Sequence, residues 1–131
     1  KKELGKAIIE NQNNLKKIIK IIHPLVRTNM NKFFKKNKKK KMVVLDIPLL
    51  LENKINKKNY ILVFVDSNKK EIQKRLKKRA NYNSVILNKL KKIQLPLEIK
   101  KKKSKFSIKN NFKSSYVRKN VKVLKSKILA L

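Results

Sequence analysis

The stretches MVVLDIPLLLE at positions 42–52 and YILVFVD at positions 60–66 decide the fold. Each holds a short continuous apolar run followed by an acid, Asp46 in the first and Asp66 in the second. Such a run, with no polar alternation, reads as a strand covered on both faces, as in a parallel sheet. Residues 42–45 and 60–65 are therefore expected as strands, and 106–108 as a weaker third. Helical patterns fill the intervals, so the fold class is α/β, with short parallel strands flanked by helices.

Outward from these strands, Leu4, Ala7 and Ile8, then Leu15, Ile18, Ile19 and Ile22, recur at spacings of three and four, the amphipathic helix signal. Asn13 or Asn14 can cap a helix over 15–22. Pro24 is expected to interrupt it, because proline donates no hydrogen bond to the preceding turn. A new helix then begins near Pro24, with Leu25, Val26, Met30, Phe33 and Phe34 on its apolar side. After the second strand, Ser67 or Asn68 caps a helix through residue 79, with Ile72 and Leu76 turned inward. Residues 81–83 break it. Further helices are expected over 85–93, from Pro96 into the lysines at 100–103, and at the end of the chain through Val117, Val121, Leu124 and Ile128. The two-helix segment 81–103 is longer than a minimal crossover and reads as an insertion over the carboxyl edge of the sheet, where α/β proteins bind ligands.

The 131 residues amount to one ordinary domain. There is no cysteine, which excludes a disulfide framework and a thiolate nucleophile. The one histidine, His23, excludes a histidine-rich zinc site. No apolar run is long enough to span a bilayer, and no signal-peptide core follows Lys1. A soluble, cytoplasmic protein is expected. The start at Lys1, in mid-pattern, points to a fragment of a longer protein.

The net charge of +32 invites a nucleic-acid reading. Yet the cations are nearly all Lys, with only Arg27, Arg75, Arg79 and Arg118 as Arg. Arg is the residue whose planar fork suits phosphates and base edges. Lys, Asn and Ile all have A/T-rich codons, so a biased genome accounts for the composition better than a nucleic-acid function. A basic, ribosome-associated nucleic-acid binder remains the alternative class. Adsorption to anionic membranes is disfavoured by the lack of aromatic anchors on a strongly amphipathic helix.

The candidate chemistry follows. The apolar run ending in Asp46 has the general shape of a strand whose acid helps to hold Mg²⁺, although Asp ends many strands. Arg75 and Arg79, four apart, share a helix face that either meets phosphate oxygens or is a solvated cationic face. His23, beside Pro24, reads as a helix-junction residue, and Glu52 as a surface acid.

Taken together, HPLV at 23–26, DIPLLLE at 46–52, QKRL at 73–76 with Arg79, QLPLE at 94–98 with Lys100, and IKN at 108–110 stand in an order and spacing that resembles the bacterial dephospho-CoA kinases. That family is similar to the P-loop nucleoside-monophosphate kinases and transfers the ATP γ-phosphoryl group to the 3′-hydroxyl of dephospho-CoA, the last step of coenzyme A synthesis. The resemblance implies an incomplete P-loop-type parallel sheet with three strands present. It implies a helical acceptor region at 1–41, nucleotide-binding core at 42–79 and 105–131, and a lid at 80–104. By the same resemblance Arg75 and Arg79 approach the ATP phosphates. His23, Leu49 and Glu52 lie near the acceptor, and Gln94 and Asn110 near the nucleotide. Asp46 is an outer-shell partner of Mg²⁺, and the protein is a monomer whose partners are ATP and dephospho-CoA. The chain departs from the family in several places. Its single glycine, Gly5, leaves no room for a GxxxxGK[ST] loop, so the chain alone is expected to be inactive. The family's Arg-Ile pair is absent before Gln94, and Ser104-Lys105 stands where Ala-Asp is usual. In the family the loop-bearing strand lies between the strands matching 42–46 and 60–66.

Overall fold

The computed structural model describes residues 2–131; Lys1 lies outside the described residues. The chain forms two compact units. The first comprises residues 2–48 and Asn83–Gln94; the second comprises Leu49–Tyr82 and Leu95–Leu131.

The first unit is helical. Helix α1 (Lys2–Glu10) packs on α2 (Gln12–Lys36) and on α4 (Ser84–Lys92). The cap of α2 is Asn11, whose side chain accepts the backbone N–H of Asn13; the sequence pointed two or three residues further on. Asn14 instead donates its side-chain amide to the Ala7 carbonyl, at the end of α1. Pro24 does not break α2, which runs through it as one helix of 25 residues. Proline removes one intrahelical bond, to the carbonyl four residues back. Buried side chains on both flanks, Leu15 before it and Met30 after it, hold the two halves in one line. His23 has no capping oxygen with which to start a new helix. Asn83 caps α4 by accepting the Ile86 N–H, close to the expected start. Gly5 brings α1 near Ile86: a Cβ there would stand 3.2 Å from the Ile86 Cδ1. The Lys89 ammonium donates to the Ile8 and Ile9 carbonyls, at 2.9 and 2.7 Å, and so closes the end of α1.

Residues 42–47 form no regular structure and join no ladder, which corrects the expected first strand. Apolar side chains specify that a run wants cover; a strand also needs a backbone partner, and among the described residues none stands beside it. Val44 is accordingly 75% exposed.

The second unit holds a two-stranded parallel sheet, β1 (Val63–Ser67) and β2 (Phe106–Asn110), in register from Val63↔Phe106 to Ser67↔Asn110. Two of the three expected strands are thus present. After β1, Asn68 caps α3 (Lys69–Lys77) by accepting the Lys70 and Glu71 N–H groups. This helix ends two residues short of Arg79, and Ile72 faces solvent instead of turning inward. Pro96 precedes α5 (Leu97–Lys103), as expected. Helix α6 (Ser114–Leu129) follows β2 and packs against it. Among the described residues, Ile55 and Ile108 are the buried apolar residues of this unit, and Ile8, Leu15 and Met30 those of the first. The core is thin for a chain in which 40% of residues are apolar.

Candidate functional site

In a parallel sheet every strand points its carboxyl end to the same side, where the loops bind ligands. Asn110 closes β2 at that end, and Asn111 and Phe112 follow. The Asn110 side chain accepts the Phe112 N–H at 2.8 Å, folding the chain back on itself. Phe112 takes a φ of 62°, the left-handed region that a bulky residue rarely enters and that costs about 1–2 kcal/mol. Its ring lies 4.1 Å beneath the Arg75 guanidinium. A stacked guanidinium keeps its in-plane N–H groups free for oxygen acceptors. The sequence pointed to Arg75 and Asn110 separately, and the structure joins them through Phe112. Its signal was weak: an aromatic two residues past an Asn that can form a side-chain turn.

Arg79 lies beyond the end of α3, two residues after its last helical residue, Lys77, so the two arginines are not on one helix as expected. The side chain of Arg79 is exposed, while its N–H donates to Leu76 and its carbonyl accepts from Tyr82.

Glu52 is placed in the turns between residues 48 and 54, where Leu49 and Lys54 adopt left-handed φ values of 56° and 50°. The Leu49 carbonyl accepts the Asn53 N–H across this turn. The Glu52 carboxylate is no free surface acid. One oxygen accepts the Leu95 N–H at 2.9 Å and the Lys100 ammonium at 2.6 Å. Burial works to raise its pKa, but the bonds from Lys100 and from backbone N–H groups outweigh it and hold the carboxyl below its ordinary 4.5. Glu52 thereby ties the start of the 95–103 segment to the 49–55 turn.

Two further expectations fall in the first unit on regular structure: His23, half-buried within α2, and Gln94, just past α4 with its N–H on the Lys91 carbonyl. Asp46 is exposed on the irregular segment 42–47 of the same unit. Among the described residues, no three His, Cys, Asp or Glu side chains gather closely enough to hold a metal ion. No helix among them is long and apolar enough to cross a membrane.

Glu52→Ala leaves a half-buried ammonium and a backbone N–H without their acceptor. The expected loss is about 1–3 kcal/mol at neutral pH. Because the native pKa is depressed, this stabilisation is complete above the unfolded value near 4.5 and fades as pH falls through the folded value. Urea midpoints of parent and variant should differ at pH 7 and draw together as the pH is lowered below 4.5. A gap that is unchanged at the lower pH would assign the loss to packing instead of to the ion pair.

A family model described as CoaE: Dephospho-CoA kinase matches residues 1–115. A dephospho-CoA kinase of Wolbachia pipientis wMel is 34% identical over 121 residues, which cover 91% of this chain and 62% of the relative. One from Fusobacterium nucleatum is 35% identical over 112 residues, covering 85% and 57%. A third, from Leptospira interrogans, is 29% identical over 130 residues, covering 98% and 62%. The chain spans somewhat less than two thirds of the length of these curated relatives.

Proposed function

The chain belongs to the dephospho-CoA kinase family, and from that premise we propose that it forms part of an enzyme that moves the ATP γ-phosphoryl group to the 3′-hydroxyl of dephospho-CoA. The observation that carries this reading is the Arg75–Phe112–Asn110 cluster at the carboxyl end of β2. Catalysis of phosphoryl transfer is mostly positioning and charge stabilisation. A guanidinium held by a ring underneath it suits the developing charge on the phosphoryl oxygens, and Asn110 offers amide chemistry to the nucleotide. Arg79 is assigned the same charge-stabilising work from its exposed position after α3.

On this reading residues 1–41 serve the acceptor, 42–79 and 105–131 the nucleotide-binding core, and 80–104 the lid. His23 and Leu49 are assigned to the acceptor, and Gln94 to the nucleotide. Glu52 acts by holding the segment from Leu95 to Lys100, a positioning role. Asp46 is a single exposed carboxylate, which fits a partner of Mg²⁺ through water, since that ion keeps several waters and takes few protein ligands. Bound there with ATP, Mg²⁺ would neutralise phosphate charge. The protein works in the cytoplasm as a monomer. Residues that cradle the phosphates in a Gly-rich loop have no counterpart in a chain with one glycine, so the chain alone does not complete the reaction.

Dephospho-CoA at a hundredfold excess over its Kd should stabilise the chain by about 2.7 kcal/mol. The readout is a rise in melting temperature at moderate salt, with adenosine alone giving a smaller one. If single-stranded RNA raises it instead, with an effect that collapses between 50 and 200 mM salt, roughly a thousandfold loss of affinity by counterion release, the protein is a phosphate-backbone binder and the kinase reading fails.

A further inference from the structure

A groove of about 270 Å³ runs within the second unit, and neither Arg75 nor Phe112 nor Asn110 lines it. Four successive residues of β2, from Phe106 to Lys109, line it. Their side chains alternate between the two faces of the sheet. A groove that meets all four must run along the strand's edge, where backbone groups are within reach. No residue of β1 lines it, so the edge concerned is the one that faces away from β1. Among the described residues that edge has no ladder partner. The opposite wall is one stripe of α6, from Tyr116 to Lys127 at spacings of three and four.

The chemistry of this groove is mixed in a particular way. Val123 and Tyr116, 52% and 40% exposed, line it together with the buried Ile108. Lys109, Lys119 and Lys127 ring it. From Lys105 to the end of the chain there is no Asp or Glu, so none of these lysines meets a carboxylate of its own segment. Lys119 and Lys127 are eight residues apart on one helix, about 12 Å along the axis. In an extended chain, residues i and i+4 face the same way about 13 Å apart. Two acids at that spacing match the two lysines, while alternate residues present apolar side chains to Val123 and Tyr116.

We propose that the open edge of β2 and the facing stripe of α6 form a docking site for an acidic, extended peptide segment of another protein, which adds to the sheet as a strand. Main-chain bonds along the edge supply the pairing, and the lysines supply orientation and a preference for acids. A nucleic-acid strand is less well matched. The groove has two aromatic residues, Phe106 and Tyr116, one on each wall and not in a row along which successive bases could stack, and an open strand edge pairs with another backbone, not with bases.

The probe is a fluorescein-labelled peptide, Glu-Val-Glu-Val-Glu-Val-Glu, titrated with the 131-residue chain by anisotropy. Reversing three groove charges together (Lys109→Glu, Lys119→Glu, Lys127→Glu) should weaken binding by about tenfold or more, or 1.4 kcal/mol. Reversing three exposed lysines of α2 (Lys16→Glu, Lys20→Glu, Lys36→Glu) changes the net charge equally and should leave binding nearly intact. A peptide methylated on alternate backbone nitrogens should also bind about tenfold more weakly. Hydrogen exchange on the unmutated chain, independent of how the variants fold, should slow at Ser107 and Lys109 when the peptide is bound. Equal loss from both triple reversals, no effect of methylation, no slowing at β2, or tighter binding of (dT)12 than of the peptide would each overturn the proposal.

Discussion

Arg79→Lys in a full-length dephospho-CoA kinase carrying this chain lowers turnover by on the order of a thousandfold, the scale of losing a charge-stabilising arginine in phosphoryl transfer. Lys78→Arg leaves turnover close to the parent's. The backbone at Arg79 is tied on both sides, to Leu76 and to Tyr82, while its side chain stays in solvent. The tie fixes where the guanidinium starts and leaves its reach open. Lysine keeps the charge but loses the planar fork that grips two phosphate oxygens at once. Lys78 forms the C-cap of α3 and follows a different direction from the backbone. Steady-state kcat and KM for ATP separate the outcomes. Matching kcat values in the two variants would take Arg79 out of the reaction.

The second large effect concerns backbone protection. In this chain the amides of residues 43–45 are expected to exchange on the order of a hundredfold faster than the most protected amides of β1, since only β1 has a ladder partner. In a full-length protein that brings a P-loop strand, the family's strand order gives residues 43–45 a neighbour, and their exchange should slow to the level of β1. Equal, strong protection of both segments in the 131-residue chain would mean that 42–46 finds a partner without that strand. The exposed Val44 and Val65 side chains, at 75% and 56%, show what an uncovered apolar run looks like while it waits for cover.

Local chemistry was legible in the sequence, and chemistry at a distance was not. Asn68 and Asn83 cap α3 and α4 close to where the pattern placed those helices, because a cap needs only its own side chain and the next three N–H groups. The strand expected at 106–108 formed and runs on to Asn110, and Val117, Leu124 and Ile128 lie on α6. The residues at 42–45 failed as a strand because a ladder depends on a second segment that no local pattern encodes. Pro24 misled for the opposite reason: distant burial of Leu15 and Met30 overrode a local defect. The candidate site divides in the same way. Arg75, Glu52 and Asn110 stood out by residue type and by resemblance. The engagements of Arg75 with Phe112 and of Glu52 with Leu95 and Lys100 cross tens of residues and appear only in the fold, whereas the turn from Asn110 to Phe112 is local. The end of α3 before Arg79 carried no glycine or proline to announce it.

The hold of Lys89 on the last carbonyls of α1 sets one lysine apart in a chain crowded with them. Most of its companions spread their charge into solvent and can be exchanged for another polar residue at little cost. Lys89 works as a clasp, and the clasp needs all three features of an ammonium: its charge, its several protons and its small size. Acylation of that one nitrogen would remove the charge, leave a single N–H for two carbonyls, and add bulk in the gap between α4 and α1. The end of α1 is therefore fastened by chemistry that an acyl-transfer reagent can undo at a single atom.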